Sequence, residues 1–155
     1  MHVAISIDPK NGHILFGQLE ITPKTTTTDL NNVFTIGKEM LVTVLGKKVP
    51  CRFLQSEIQG EGLKFELNLR FESGVLVSVF IGITDPLIPT HTDEEFYNSL
   101  EAVKNLHEHW LKGQIGIVST GHKRFKWGIA GVAQDKSDNI YIYLHNRNNT
   151  WAFDN

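Results

Sequence analysis

The sequence has one cysteine, no long apolar run and little excess charge, and each of these features excludes a class of protein. A single cysteine cannot form an internal disulfide and favours a reducing, cytoplasmic setting. The start, MHVAISIDPKNG, lacks the basic region and long apolar core of a signal peptide. No run approaches the roughly 18 apolar residues of a membrane span. The formal net charge of −2 leaves no basic footprint for nucleic acid, so we expect a cytoplasmic protein that binds neither nucleic acid nor membranes.

Motifs with a defined chemistry are also missing. The glycines of GIAGVA and GQIGIVSTG lack the spacing of phosphate-binding and dinucleotide-binding loops. His107 and His109 are two residues apart on a predicted helix and point about 200° from each other, so they cannot chelate one ion. Strand alternation buries Cys51, and no motif around it identifies a nucleophile. The sequence therefore predicts no catalytic residue, no metal site and no cofactor.

Alternation of apolar and polar residues is the dominant pattern in the 155-residue chain, and it is typical of strands with one buried face. A four-residue loop at 9–12 pairs Ile7 with Ile14. The clearest hairpin joins 63–71 to 75–83, and matching its apolar faces predicts a three-residue loop that pairs Phe71 with Val75.

One amphipathic helix, 92–112, follows these strands. Thr92 and Glu95 form a predicted capping box, and Gly113 is expected to end the helix. Its apolar stripe includes His107, which is expected to be partly buried and hydrogen-bonded. We predict one α+β domain spanning 1–155, in which a largely antiparallel sheet of about six to eight strands packs on this helix.

The hairpin FKWGIAGVAQDKSDNIYIYLHN, residues 125–146, combines a core face with a face rich in aromatic residues. A four-residue loop, 136–139, pairs Ala133 with Ile142 and leaves large side chains opposite small ones on the second face. Tyrosine, histidine and arginine side chains can bury a large area while keeping a polar tip, which is typical of protein-binding surfaces. Alternatively, the aromatic ladder only stabilises the sheet, or a loop covers it. The strip consists of Tyr141, Tyr143, His145 and Arg147.

The order of FGQLEITPKTTTTDL, a strand meander, HEHWL and FKWGIAGVAQDKSDNIYIYLHN resembles small bacterial immunity and immunity-like proteins. Such proteins accompany polymorphic or contact-dependent toxins, and the resemblance spans most of the chain. It implies a cytoplasmic, non-enzymatic protein that binds and blocks a cognate toxin domain.

Two surfaces are candidates for that contact: the strip 141–147, or the acidic outer face of the helix with Glu94, Glu101 and Glu108. We expect a monomer or a weak homodimer. Two alternatives remain open. One is a small hydrolase-like enzyme that assembles His107, His145 or Cys51 in a pocket. The other is an oligomeric structural or sensor domain that pairs through an edge strand.

Overall fold

Two antiparallel sheets and two consecutive α-helices build the protein in a computed structural model, which describes residues 4–116 and 122–153. The smaller sheet has three strands in the order β1-β2-β3. Its first hairpin pairs Ile7 with Ile14, as predicted. The strands are β1 (Ile5–Ile7), β2 (Ile14–Phe16) and β3 (Leu19–Ile21).

The larger sheet has eight strands, and its long central hairpins come from the alternating apolar segments. Its order is β4-β6-β7-β8-β11-β10-β9, and β5 also pairs with β6. The bounds are β4 (Thr35–Ile36), β5 (Met40–Val44), β6 (Lys47–Gly60), β7 (Leu63–Glu72), β8 (Val75–Thr84), β9 (His122–Phe125), β10 (Gly128–Gln134) and β11 (Ile140–Asn146).

The predicted helix 92–112 is two helices, α1 (Asp93–Asn98) and α2 (Leu100–Ile115). The capping box at Thr92 and Glu95 is present as predicted. The break lies at Ser99, whose hydroxyl donates to the Pro89 carbonyl at 2.7 Å and ties the junction to the preceding loop.

The predicted helix end at Gly113 is wrong, because α2 continues to Ile115. Gly116 follows with φ 93°, a backbone conformation that favours glycine. The glycine that ends the helix is therefore Gly116, the second glycine of the segment KGQIG, and not Gly113.

Helix α2 packs on β8, β10 and β11 and also contacts β1. The Gln114 side chain accepts a hydrogen bond from the Ile7 N–H at 2.9 Å, which joins the small sheet to the helix. The α+β class with mostly antiparallel sheets is confirmed. Buried residues of both sheets and of α2 form one core cluster, which includes Ile7, Ile14, Phe16, Leu67, Leu69, Ile81, Leu111, Ile142 and Leu144.

The predicted register of the β7–β8 hairpin is wrong. Ser73 and Gly74 form a two-residue turn with φ 51° and 80°, the positive angles that such tight turns require. A β-bulge next to Phe71 then leaves one extra residue in β8 without a partner in β7, so that Leu69 is opposite Val79. Because of this extra residue, the hairpin can have a two-residue turn and still place the apolar residues of β7 opposite those of β8.

The β10–β11 register is also shifted by one residue from the prediction. The loop has five residues, 135–139, because Gln134 rather than Asp135 is opposite Ile140. The Asp135 carboxylate accepts the N–H groups of Ser137 and Asn139 at 2.8 and 2.9 Å, so this residue organises the loop instead of extending the strand.

Candidate functional site

A cavity of about 840 Å³ lies where β8 and β11 separate. Pairing between these strands ends at Ile81 and Ile142, although β8 continues to Thr84 and β11 begins at Ile140. The separated strand ends, the loop after β8, α1 and α2 surround the space. Its lining includes Phe53, Glu66, Asn68, Phe80, Gly82, Thr84, Asp85, Phe96, Leu100, Val103, Leu106, His107, Asp138 and Tyr141.

The walls of the cavity are mostly apolar, with Phe53, Phe80 and Tyr141 from the strands and Phe96, Leu100, Val103 and Leu106 from the helices. Phe80 and Tyr141 meet edge to face with their ring centroids 5.7 Å apart. Gly82 also lines the cavity, and an added Cβ there would have no neighbour within 4 Å. A concave apolar site with a few polar groups is the usual form of a binding pocket.

Among the described residues that line the cavity, the formally charged ones are all acidic: Glu66, Asp85 and Asp138. Lys64 lies outside the lining and its Nζ is 3.3 Å from Glu66. Asp85 accepts the Leu87 N–H and Asp138 accepts from the Gln134 amide, each at 2.9 Å. The cavity therefore favours a positively charged group over a negative one.

His107 closes the inner end of the cavity and is 1% exposed. Its Nε2 accepts the Ile83 N–H at 3.0 Å, and its Nδ1 lies 2.7 Å from the Val103 carbonyl. Because a backbone N–H can only donate, the proton of the neutral ring is on Nδ1. Burial lowers the pKa of His107. The predicted hydrogen bonding of His107 is confirmed, but the residue is fully buried rather than partly buried.

Ser78 and His145 form a second polar pair, in which Ser78 is buried and His145 is half-buried. The Ser78 hydroxyl is 2.7 Å from His145 Nδ1, and the Asn149 amide donates to the same hydroxyl at 2.9 Å. A serine beside a histidine is the composition of an activated nucleophile, but Ser78 is 0% exposed. Burial and the nearby positive charge of Arg70 lower the pKa of His145 to about 4. The pair is a neutral internal contact rather than a reactive one.

The C-terminal segment, residues 149–153, covers this polar group. Trp151 donates its indole N–H to Glu72 at 2.8 Å, and Arg70 donates to the same carboxylate oxygen at 2.7 Å. The Trp151 ring also meets the His145 ring, with 4.9 Å between centroids. Sequence reasoning missed this segment. A tryptophan after the polar run NRNNT was the signal that could have found it.

Residues 141–147 are not uniformly exposed, in line with the alternative that another segment covers part of this face, although Arg147 is exposed. Tyr141 lines the cavity, Tyr143 is half-buried, and His145 packs under Trp151. Arg147 donates to the carbonyls of Lys126 and Phe125, both at 2.9 Å. Its guanidinium also lies 4.3 Å from the Phe153 ring centroid, so this side chain is held by the protein itself. The returning C-terminal segment divides the strip.

The helices α1 and α2 turn apolar residues toward the cavity, which is lined by Phe96, Leu100, Val103 and Leu106. Their acidic residues Glu94 and Glu101 are exposed, and Glu108 is half-exposed. Two apolar residues of α1 and of the loop before it are exposed as well, Tyr97 at 59% and Leu87 at 88%.

The three residues of the enzyme alternative do not meet in the cavity. His107 borders it, while His145 is not among its lining residues. Cys51 is also outside the lining and is 0% exposed, and burial raises the pKa of its thiol. Within residues 4–116 and 122–153, no group of three or more His, Cys, Asp or Glu side chains could hold a metal ion. No helix in this part of the chain has the length and apolar character to cross a bilayer.

No family model, no curated protein and no solved structure matches this chain. The function therefore has to be inferred from the sequence resemblance, the cavity and the surface around it.

Proposed function

We propose that this protein is a non-enzymatic immunity protein that binds and blocks a cognate bacterial toxin domain. The resemblance of its sequence to immunity proteins suggests the class of function. The observation that carries the proposal is the set of exposed acidic and apolar residues on α1, on α2 and on the loop before them, elements that also contribute other residues to the cavity lining. We call it the acidic helix surface and define it as Leu87, Asp93, Glu94, Tyr97, Glu101 and Glu108.

Charge gives the acidic helix surface a preferred type of partner. Residues 92–112 contain five acidic residues against two lysines. Lys104 is exposed on the same side of α2 as Glu101 and Glu108, so the surface carries an excess of negative charge. Such an excess attracts a partner of the other sign and accelerates association more than it strengthens the final complex. A basic toxin surface therefore fits this side of the protein.

Leu87 and Tyr97 provide the apolar contacts that charge alone does not. An exposed tyrosine can bury a large area and still hydrogen-bond through its hydroxyl, and such residues often dominate binding energy. A standard specific interface covers about 800 Å² of each partner, which these helices and the adjoining loop can supply together.

The buried or half-buried histidines and the buried cysteine favour a binding protein over a hydrolase. Both nitrogens of His107 are hydrogen-bonded, and Ser78 is covered together with His145. A nucleophile and its base must reach substrate, and neither Cys51 nor Ser78 has an exposed surface.

The test is co-expression with the toxin domain encoded by the neighbouring reading frame. We expect growth to be restored and a one-to-one complex to be recovered in a pull-down. Failure to protect and to bind, with the protein folded, would contradict the proposal. So would the absence of any toxin-like frame beside the gene.

Charge reversal locates the surface. Glu94→Lys with Glu101→Lys should slow association at least about tenfold at low salt and weaken its salt dependence. The matched control reverses two exposed acids elsewhere, Glu20→Lys with Glu39→Lys, and gives the same change in net charge. Equal effects of both pairs would exclude the acidic helix surface.

A further inference from the structure

We propose that the cavity above Gly82 receives an arginine or lysine side chain, carried by an apolar segment of the bound partner. The inference rests on the proposed function, since the toxin domain would supply that segment. It adds a defined pocket and a defined chemical group to the contact made by the acidic helix surface.

Gly82 is the first observation that points to an occupant. Glycine weakens a strand interior, and where it occurs there it often marks a bulge, a sharp bend or the close approach of a ligand. The only register shift between β7 and β8 lies at Arg70 and Phe71, so no bulge at position 82 requires a glycine. Its backbone does not require one either, because Gly82 is not among the residues with positive φ. No neighbour inside the protein requires one, since an added Cβ would meet open space, so the glycine leaves this part of the cavity empty.

The second observation is that the cavity is held open by a specific contact. The Ile83 N–H lies two residues beyond the last residue of β8 that pairs with β11, and His107 accepts it. The histidine thereby substitutes for the missing strand neighbour, so the strands can stay apart without leaving a buried donor unsatisfied. A pocket that exists before binding does not have to be ordered by its ligand, so binding does not include that entropic cost.

The chemistry of the lining selects the occupant. Asp85 and Asp138 each use Oδ1 in a described hydrogen bond, and no described bond engages their Oδ2 atoms. Carboxylate oxygens are strong acceptors for a guanidinium or an ammonium group. Phe80 and Tyr141 supply aromatic rings that attract a cation and pack against its methylene stem, whereas the Phe53 ring already has the Arg70 guanidinium 5.7 Å from its centroid.

The main experiment compares Gly82→Val with Gly113→Ala. A side chain at position 82 would enter the cavity without meeting another atom within 4 Å, and a β-branched residue suits a strand. Gly113 also has open space around it but lies in α2, outside the cavity lining. We expect Gly82→Val to remain folded and to bind the toxin domain at least about tenfold more weakly, whereas Gly113→Ala binds like the wild type.

A second variant tests the charge without filling the space. Asp85→Asn with Asp138→Asn keeps size and an acceptor oxygen, and asparagine tolerates the φ of 63° at position 138. It should also bind the toxin domain at least about tenfold more weakly. Unchanged toxin affinity in this variant and in Gly82→Val would overturn the inference while leaving the proposed function intact.

A peptide titration tests the pocket apart from the toxin. Acetyl-Leu-Arg-Leu-amide should shift the amide resonances of Gly82, Phe80 and Tyr141 in the wild type and not in Gly82→Val. The neutral citrulline analogue should bind at least about fivefold more weakly. Equal binding of arginine and citrulline peptides would contradict the cationic class. Equal binding of butylguanidinium and the arginine peptide would assign the site to a free small cation. If the arginine peptide binds but the toxin domain does not, the pocket stands and the proposed function fails.

Discussion

At the scale of single residues, His107 explains how the sheet tolerates separated strands. The ring lies between α2 and β8 and bonds to both, accepting from Ile83 and donating to Val103. One side chain thereby satisfies a strand donor, fixes the position of the helix and closes the inner end of the cavity.

His107→Leu should therefore destabilise the fold by about 1–3 kcal/mol, because it leaves the Ile83 N–H without its acceptor while keeping most of the volume. The matched control is His109→Leu, two residues along the helix and exposed, which should change stability by less than about 0.5 kcal/mol. Urea denaturation measures both. Similar values for the two variants would show that the His107 hydrogen bonds contribute nothing.

We expect protonation of His145 to make the stability of the fold depend on pH. Its pKa falls from 6.5 in the unfolded chain to about 4 in the fold, because of burial and of Arg70. Between these two pH values the unfolded chain binds a proton at His145 that the folded chain does not. The contribution of His145 to the free energy of unfolding is therefore complete above about pH 6.5 and is lost as the pH falls toward 4. His107 acts in the same direction because burial lowers its pKa.

Thermal unfolding between pH 7 and 4.5 tests this. We expect the loss of Tm over that interval to be smaller in His145→Asn than in the wild type, since asparagine keeps a partner for Ser78 but takes up no proton. A loss that is equal or larger in the variant would contradict the assignment of His145 as a neutral, half-buried group.

At the scale of elements, the end of α2 separates two glycines with opposite roles. Gly113 is helical and has open space around it, so Gly113→Ala should stabilise the protein by about 0.5–1 kcal/mol. Gly116 has φ 93°, so Gly116→Ala should destabilise it by about 1–3 kcal/mol. Chemical denaturation of the two variants should give shifts of opposite sign. Destabilisation by Gly113→Ala would place the helix end at residue 113 instead.

Local patterns predicted most of the elements. Alternation located the strands of the β7–β8 hairpin, and the capping box at Thr92 located the start of α1. They predicted the register of β1–β2 but not those of the two longer hairpins, since a bulge at Phe71 and a five-residue loop after Gln134 each add a residue that alternation does not reveal. The break at Ser99 depends on its bond to Pro89, which lies outside the helical pattern.

At the scale of the whole molecule, the site arises from contacts that no local pattern encodes. The cavity exists because two strands part and the segment between β8 and α1 passes around their ends. The strip 141–147 is divided because a C-terminal tryptophan reaches Glu72, which lies 79 residues earlier in the chain. Of the residues that line the cavity, only His107 and Tyr141 were named as site candidates from the sequence, and Gly82, Asp85 and Asp138 were not, because the contacts that bring them together join residues that are distant along the chain.

Calorimetric titration of the purified protein with an inactivated form of the toxin domain from the neighbouring reading frame tests the proposed function most directly. We predict a one-to-one complex with a Kd below about 100 nM, the range of specific interfaces of standard size. Absence of binding at micromolar concentrations, with circular dichroism showing both proteins folded, would contradict the immunity function.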